Sequence, residues 1–501
     1  MTLACTGWLL LPCLIFAVGF FAWPWALAVL ALGGAGFALL PRGPWPLGAR
    51  GTLACLAGGL AWAFGSSGTH HLLYAVVDWQ IRDAVLLDLA TGPWPVGYSV
   101  GEAGWLLRAP LGYYMPAALV GRLAGPAAAE AALYLWTGLG LALVLALLRA
   151  LGRAVAPGRW PVLPVLVFLG FGGLDLLPNI WLDVTEGAGL ASYWARGGEW
   201  WARLFQYSGH ATLLLWVPNH ALPGWIPALL LLRHARRPAF LGSVALPLAA
   251  AAWWAPLSAL GAGLLAAAAV LAGGWRMVGA AARGGANWLG LALAVPEGLF
   301  LSAGAGTIPH GPLFAEHGLA ALPRLLLFLL VEFGAVAAAA LLLVRSRLLL
   351  ASLGLLALLP LYVFGPGNEM TMRTGIAPLA VLAVAAGFGL QQATPGWRRR
   401  LLAGLLLVAG LGQAMEASLL TLKPWAASRD CALPEAAAQS VFDATDWSHY
   451  VVPWPDADLQ ALLADPVLRP VDPDRLARCW PDQAGTVPGS ATSGAASSAG
   501  P

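Results

Sequence analysis

Residues 78–98, DWQIRDAVLLDLATGPWPVGY, place three aspartates and one arginine in a short stretch of an otherwise charge-poor chain. Ile81, Val85, Leu86 and Leu89 recur at helical spacing, which predicts an amphipathic helix over 79–90 lying along a membrane interface. Asp78 then stands at its N-cap, and Gly92-Pro93 stops it. Asp88 follows Asp78 by close to three turns, so both carboxylates fall on one side of that helix. Arg82 lies one turn beyond Asp78, at ion-pairing spacing. Two readings stay open here: a cap with an ion pair, or two carboxylates presented for acid–base chemistry. Asp83 competes for the second role.

Two further stretches carry polar side chains. QYSGHATLLLWVPNHALPGW (206–225) offers Gln206, Tyr207, His210, Asn219 and His220 as contacts for a sugar or a phosphate. Simple hydrogen bonding at a membrane interface explains the histidines equally well. NEMTMRTGIAPL (368–379) brings Arg373 to the start of an apolar run. An arginine entering a membrane helix is costly unless paired or functional. A salt bridge to Glu369, four residues earlier, is the plain alternative; Arg82 and Arg324 are the next candidates for an anion. Asp175 near a helix end, and Glu297 and Glu332 inside apolar runs, fit either internal pairing or a polar cavity.

The elements that must hold these residues are set by composition. The chain has 501 residues, 59% hydrophobic and only 10% charged, with mean hydropathy +0.74. Soluble domains run near 25% charged, so an ordinary soluble enzyme is excluded, as are disordered and disulfide-scaffold classes. A net charge of +3 without a dense basic run argues against nucleic-acid binding. The fold class expected is all-α and polytopic, with about thirteen spans of roughly 17–25 residues. They are 4–22, 24–40, 52–67, 128–149, 160–180, 213–232, 239–256, 258–275, 286–304, 322–344, 348–365, 374–391 and 401–419. The first lacks a basic leader and runs into a second, so it reads as a retained helix.

With the N-terminus inside, the inner loops hold more than half of the 27 Lys and Arg residues, including Arg149, Arg233, Arg283 and Arg398–Arg400, and no acid. That is the asymmetry of the positive-inside rule. Long segments then face outward at 68–127 and 181–212, with a small cap at 420–484, placing the C-terminus outside. Residues 485–501, rich in Gly, Ser and Ala, are expected to be disordered. Cys431 and Cys479 form an even pair in the outer tail, for which a disulfide is expected over free thiols. No Walker loop, dinucleotide fingerprint or HExxH occurs. No cofactor is expected, and a metal requirement stays open.

The Asp78, Asp88 and Gly92/Trp94/Pro95 pattern resembles the first outer loop of the C-type superfamily of polyprenol-phosphate-dependent membrane glycosyltransferases. Trp79 departs from that pattern, standing where a second acid is common, and Asp78 follows the third expected span instead of the first. The resemblance extends to uncharacterised bacterial relatives of that superfamily through LGYYMPAALVGRLAG (111–125), LYLWTGLG (133–140), 206–225 and 368–379, about half of the chain. It implies an enzyme of the bacterial cytoplasmic membrane that moves a sugar from a polyprenyl-phosphate donor to an envelope acceptor. Asp78 would be the catalytic carboxylate and Asp88 would orient the acceptor or Arg82. Arg82, Asp83, Gln206, Tyr207, Asn219, His220 and Arg373 would bind substrate. A lipid or glycan transporter, a non-catalytic assembly protein, and a polysaccharide polymerase or ligase remain the alternatives.

Overall fold

Apolar runs become helices in this chain, some continuous through an internal proline, as Thr2–Phe20 is through Pro12, and others divided. The computed structural model describes residues 1–155, 160–186, 193, 197–440 and 450–481. The expected tail 485–501 lies outside the described residues. Among the described residues, five helices are long and apolar enough to cross a membrane: Thr2–Phe20, Pro126–Val155, Leu319–Leu341, Glu369–Gln392 and Trp397–Thr421. Trp23–Ala38, Pro256–Ala272 and Arg347–Leu361 are apolar but shorter.

Several expected spans are divided. The run 160–180 becomes Val162–Leu169 and Leu176–Glu186, with Gly170, Gly172 and Gly173 in the gap. The run 213–232 divides at Val217, which takes a non-helical φ of −142° ahead of Pro218. A residue before proline is pushed out of the helical region. The break ends His210–Trp216 and starts Pro218–His234 with Asn219 and His220 in its first turn.

Tight packing holds the helices together. A Cβ on Gly59 would meet Gly138 O and Ala142 N at 2.4 Å, so Ala49–Phe64 lies backbone-to-backbone against Pro126–Val155. Small residues at such crossings permit the close approach that drives helix association in lipid. Trp8, Trp136 and Trp254 form a triangle of rings, with centroids 5.1, 4.4 and 6.1 Å apart.

The chain is mostly helical, as expected, with a minor strand component: 69% of the described residues are helical and 6% form strands. Strand β1 (Val96–Val100) turns at Gly101, φ +58°, into β2 (Ala103–Leu107). Two further strands, β3 (His310–Pro312) and β4 (Tyr362–Phe364), pair with each other. The C-terminal region supplies β5 (Val451–Trp454), antiparallel to β2, and β6 (Val467–Pro470), parallel to β1. The order β5-β2-β1-β6 joins these C-terminal strands to the first long loop. Cys431 and Cys479 are disulfide-bonded within it.

The helix expected over 79–90 exists as Trp79–Thr91, but it does not lie along an interface. Every residue from Trp79 to Ala90 is buried. Met115–Ala124 and Leu433–Gln439 pack against it, and its charged side chains find partners inside the protein.

Candidate functional site

Asp78 is positioned by its neighbour. The Trp79 indole N–H donates to Leu215 O at 2.9 Å, and Gly68 lies so close that a Cβ there would sit 2.3 Å from the indole nitrogen. This pins the start of the helix. The Asp78 side chain makes no capping hydrogen bond. It turns instead to Arg82, whose Nη2 lies 3.2 Å from Asp78 Oδ2. Arg82 also donates through Nη1 to Asn219 Oδ1 at 2.9 Å and to the Tyr114 hydroxyl at 3.4 Å.

Asn219 and His220 reach this point because Pro218 starts their helix there, with Asn219 Nδ2 3.4 Å from His220 Nε2. Arg373 pairs with Glu369 at 2.7 Å. Both are within electrostatic range of Asp78, and both guanidinium groups are within range of His220. Tyr450, entering β5, is in range of Asp78, Arg82, Glu369 and Arg373. A quarter of the Asp78 side chain and a third of that of Arg373 reach solvent, whereas Arg82 is nearly closed off.

The chemistry of the cluster follows from its charges. Two guanidinium groups face two carboxylates, so the fixed charge is balanced. Burial raises the Asp78 carboxyl above its ordinary range, against the pull of Arg82 and Arg373. A raised carboxyl is a stronger base once ionised, which suits a group that must accept a proton. Arg82 Nε and Arg373 Nε are buried donors with no hydrogen-bond partner among the described residues. A phosphate oxygen would satisfy them.

Of the residues expected from sequence, Asp78, Arg82, Asn219, His220 and Arg373 come together and four do not. Asp88 is fully buried and accepts from Tyr98 Oη at 2.7 Å, Leu433 N at 2.8 Å and Arg469 Nη2 at 2.5 Å, tying the loop helix to the C-terminal region. It reaches neither Arg82 nor a site for an acceptor. Asp83 pairs with His71 at 2.9 Å and lines a separate shallow recess with Glu130 and Arg429. Gln206 is engaged by Glu199 and Ser208. Tyr207 is buried and donates to Leu356 O at 2.6 Å.

Tyr114 and Tyr450 were not singled out from sequence. Tyr114 lies within 111–125, where one tyrosine of a Tyr-Tyr pair carries no distinguishing signal. Tyr450 arrives only through the pairing of β5 with β2.

A second polar group is separate. The Trp201 indole N–H is shared by Asp175 Oδ1 (3.0 Å) and Glu332 Oε1 (2.9 Å), Glu332 standing in a π-helical turn, Leu330–Gly334. Glu199 Oε1 accepts from Thr212, Gly209 N and Gln413. Burial, then the charges of Asp175 and Glu416, push its carboxyl well up.

No protein-family model matches this chain, no curated protein matches it, and no solved structure matches its fold. The functional reading therefore rests on the site itself.

Proposed function

We propose that this protein is a membrane glycosyltransferase of the C-type kind, using a polyprenyl-phosphate sugar as donor. The acceptor hydroxyl oxygen bonds to the anomeric carbon of the sugar and gives its proton to Asp78. The bond from that carbon to the phosphate oxygen breaks, and the phosphate leaves with the electron pair into the grip of Arg373 and Arg82. The supporting observation is the convergence of Asp78, Arg82 and Arg373, drawn from segments about 290 residues apart, with both Nε–H groups unused. The finer topology belongs to the same proposal: thirteen crossings of a bacterial cytoplasmic membrane, N-terminus inside, with the site on the outer face. The arginine-rich, acid-free loops support it.

The test is transfer from a panel of polyprenyl-phosphate pentoses and hexoses in lipid nanodiscs. Asp78→Asn should lower the rate by roughly 10²–10⁴-fold, the usual worth of a general base, without lowering the melting temperature. Asp88→Asn should lose stability yet keep its rate per folded molecule. Wild-type rates from Asp78→Asn would reduce Asp78 to an ion-pair partner.

One observation favours a second reading. The buried Asp175–Glu332 pair, beside Glu199, resembles the carboxyl groups that carry protons in transporters. Proton-coupled flux of a lipid-linked sugar without product would support it.

A further inference from the structure

The site and its surroundings hold several unused polar atoms, those of Asn368 and Thr371 beside Glu369 among them. Arg82 Nε and Arg373 Nε can only donate. His220 Nδ1 and Ser258 Oγ can donate or accept, and they too have no partner among the described residues. His220 is 5% exposed and Ser258 not at all. A buried polar atom left without a partner costs about 1–3 kcal/mol, so this pair calls for an explanation.

Placement links Ser258 to the cluster. A Cβ on Gly224 would lie 3.7 Å from Ser258 Cβ and 2.5 Å from Ile376 Cγ2. Gly224 follows His220 by four residues, one helical turn on the same face. Ile376 follows Arg373 by three, again one turn along. With both guanidinium groups in range of His220, Ser258 lies one turn deeper than the His220–Arg373 level, where three helices meet. They are Pro218–His234, Pro256–Ala272 and Glu369–Gln392.

We infer that His220 and Ser258 form a subsite for a neutral hydroxyl-bearing group, the sugar of the donor, beneath the arginines that take its phosphate. The division follows from charge: donor-only cations match an anion, and neutral two-way groups match hydroxyls. Ser258 is thereby a specificity residue. This rests on the transfer reading, because only that reading puts a sugar beside the phosphate.

The experiment compares affinities of the full chain in nanodiscs for undecaprenyl phosphate, undecaprenyl-phosphate glucose and undecaprenyl-phosphate mannose, by native mass spectrometry. Ser258→Ala and His220→Gln should weaken a glycosylated lipid by about tenfold, one well-made hydrogen bond, and leave the bare lipid within about twofold. Arg373→Ala should weaken all three lipids. Ser258→Ala removes an unpartnered hydroxyl, so its melting temperature should hold or rise, which separates recognition from folding. Unchanged affinity in Ser258→Ala for both sugars, or equal loss for bare and glycosylated lipid, overturns the subsite and leaves the transfer reading standing. Failure of the wild type to bind any of the three overturns both.

Discussion

His71 lies outside the Asp78–Arg373 cluster and faces two acceptors of its own. Its Nδ1 contacts Trp425 O at 2.9 Å and its Nε2 contacts Asp83 at 2.9 Å, so the doubly protonated ring satisfies both acceptors. Burial is the largest single influence and lowers its pKa, but Asp83, Glu130 and the Trp425 carbonyl together outweigh it, and the net shift is upward. The folded state therefore holds this proton more tightly than the unfolded chain. The stabilisation is fully present below the unfolded value near ~6.5 and is lost as pH rises through the raised folded value. The wild type should melt higher than Asp83→Asn at acidic pH, and the gap should close in alkali. Parallel melting curves across that range would show that the pair contributes nothing. Asp78 is raised in the opposite chemical sense, because burial disfavours its charged form. Transfer should accordingly increase with pH as Asp78 ionises.

At the scale of elements, close helix approach is the feature most open to test. The nearest atoms to a Cβ on Gly59 are backbone, which cannot rotate aside. Gly59→Ala should cost about 1–3 kcal/mol, as overpacking does. Gly34, also within a helix, has nothing within 4 Å. Gly34→Ala should be neutral or gain up to about 1 kcal/mol from helix propensity. Thermal unfolding followed by size-exclusion chromatography distinguishes the two, and equal behaviour would refute the packing argument. The element-scale reading of the sequence was also limited by its window. Hydropathy averaged over a span cannot register the breaks at Val217 or Gly172, and those breaks aim Asn219 and let Trp201 reach Asp175.

At the scale of the whole molecule, the first long loop and the C-terminal region are one structure. They share a sheet, the Asp88–Arg469 ion pair and the contact of Leu433–Gln439 with the loop helix. The Cys431–Cys479 bond closes a loop of sequence separation 48, and such bonds contribute about 2–4 kcal/mol. Replacing both by serine should expose Arg475 and Arg478 to trypsin while the apolar helices stay resistant. Unchanged resistance would show that the sheet holds the region without the bond. The helical, membrane-type character of the chain was legible in its sequence because hydropathy and charge are local sums over neighbouring residues. Asp78, Arg82 and Arg373 were legible for a related reason, since a charge in an apolar run needs a partner wherever the run goes. Which aspartate faces the arginines was decided only in three dimensions. Asp78 and Asp88 have the same side chain and stand at the cap and in the body of one helix, but the arrival of Arg469 and Leu433 N consumes Asp88 and leaves Asp78 within electrostatic range of Arg373. No local spacing encodes that choice, because the partners come from more than 290 residues away in the chain.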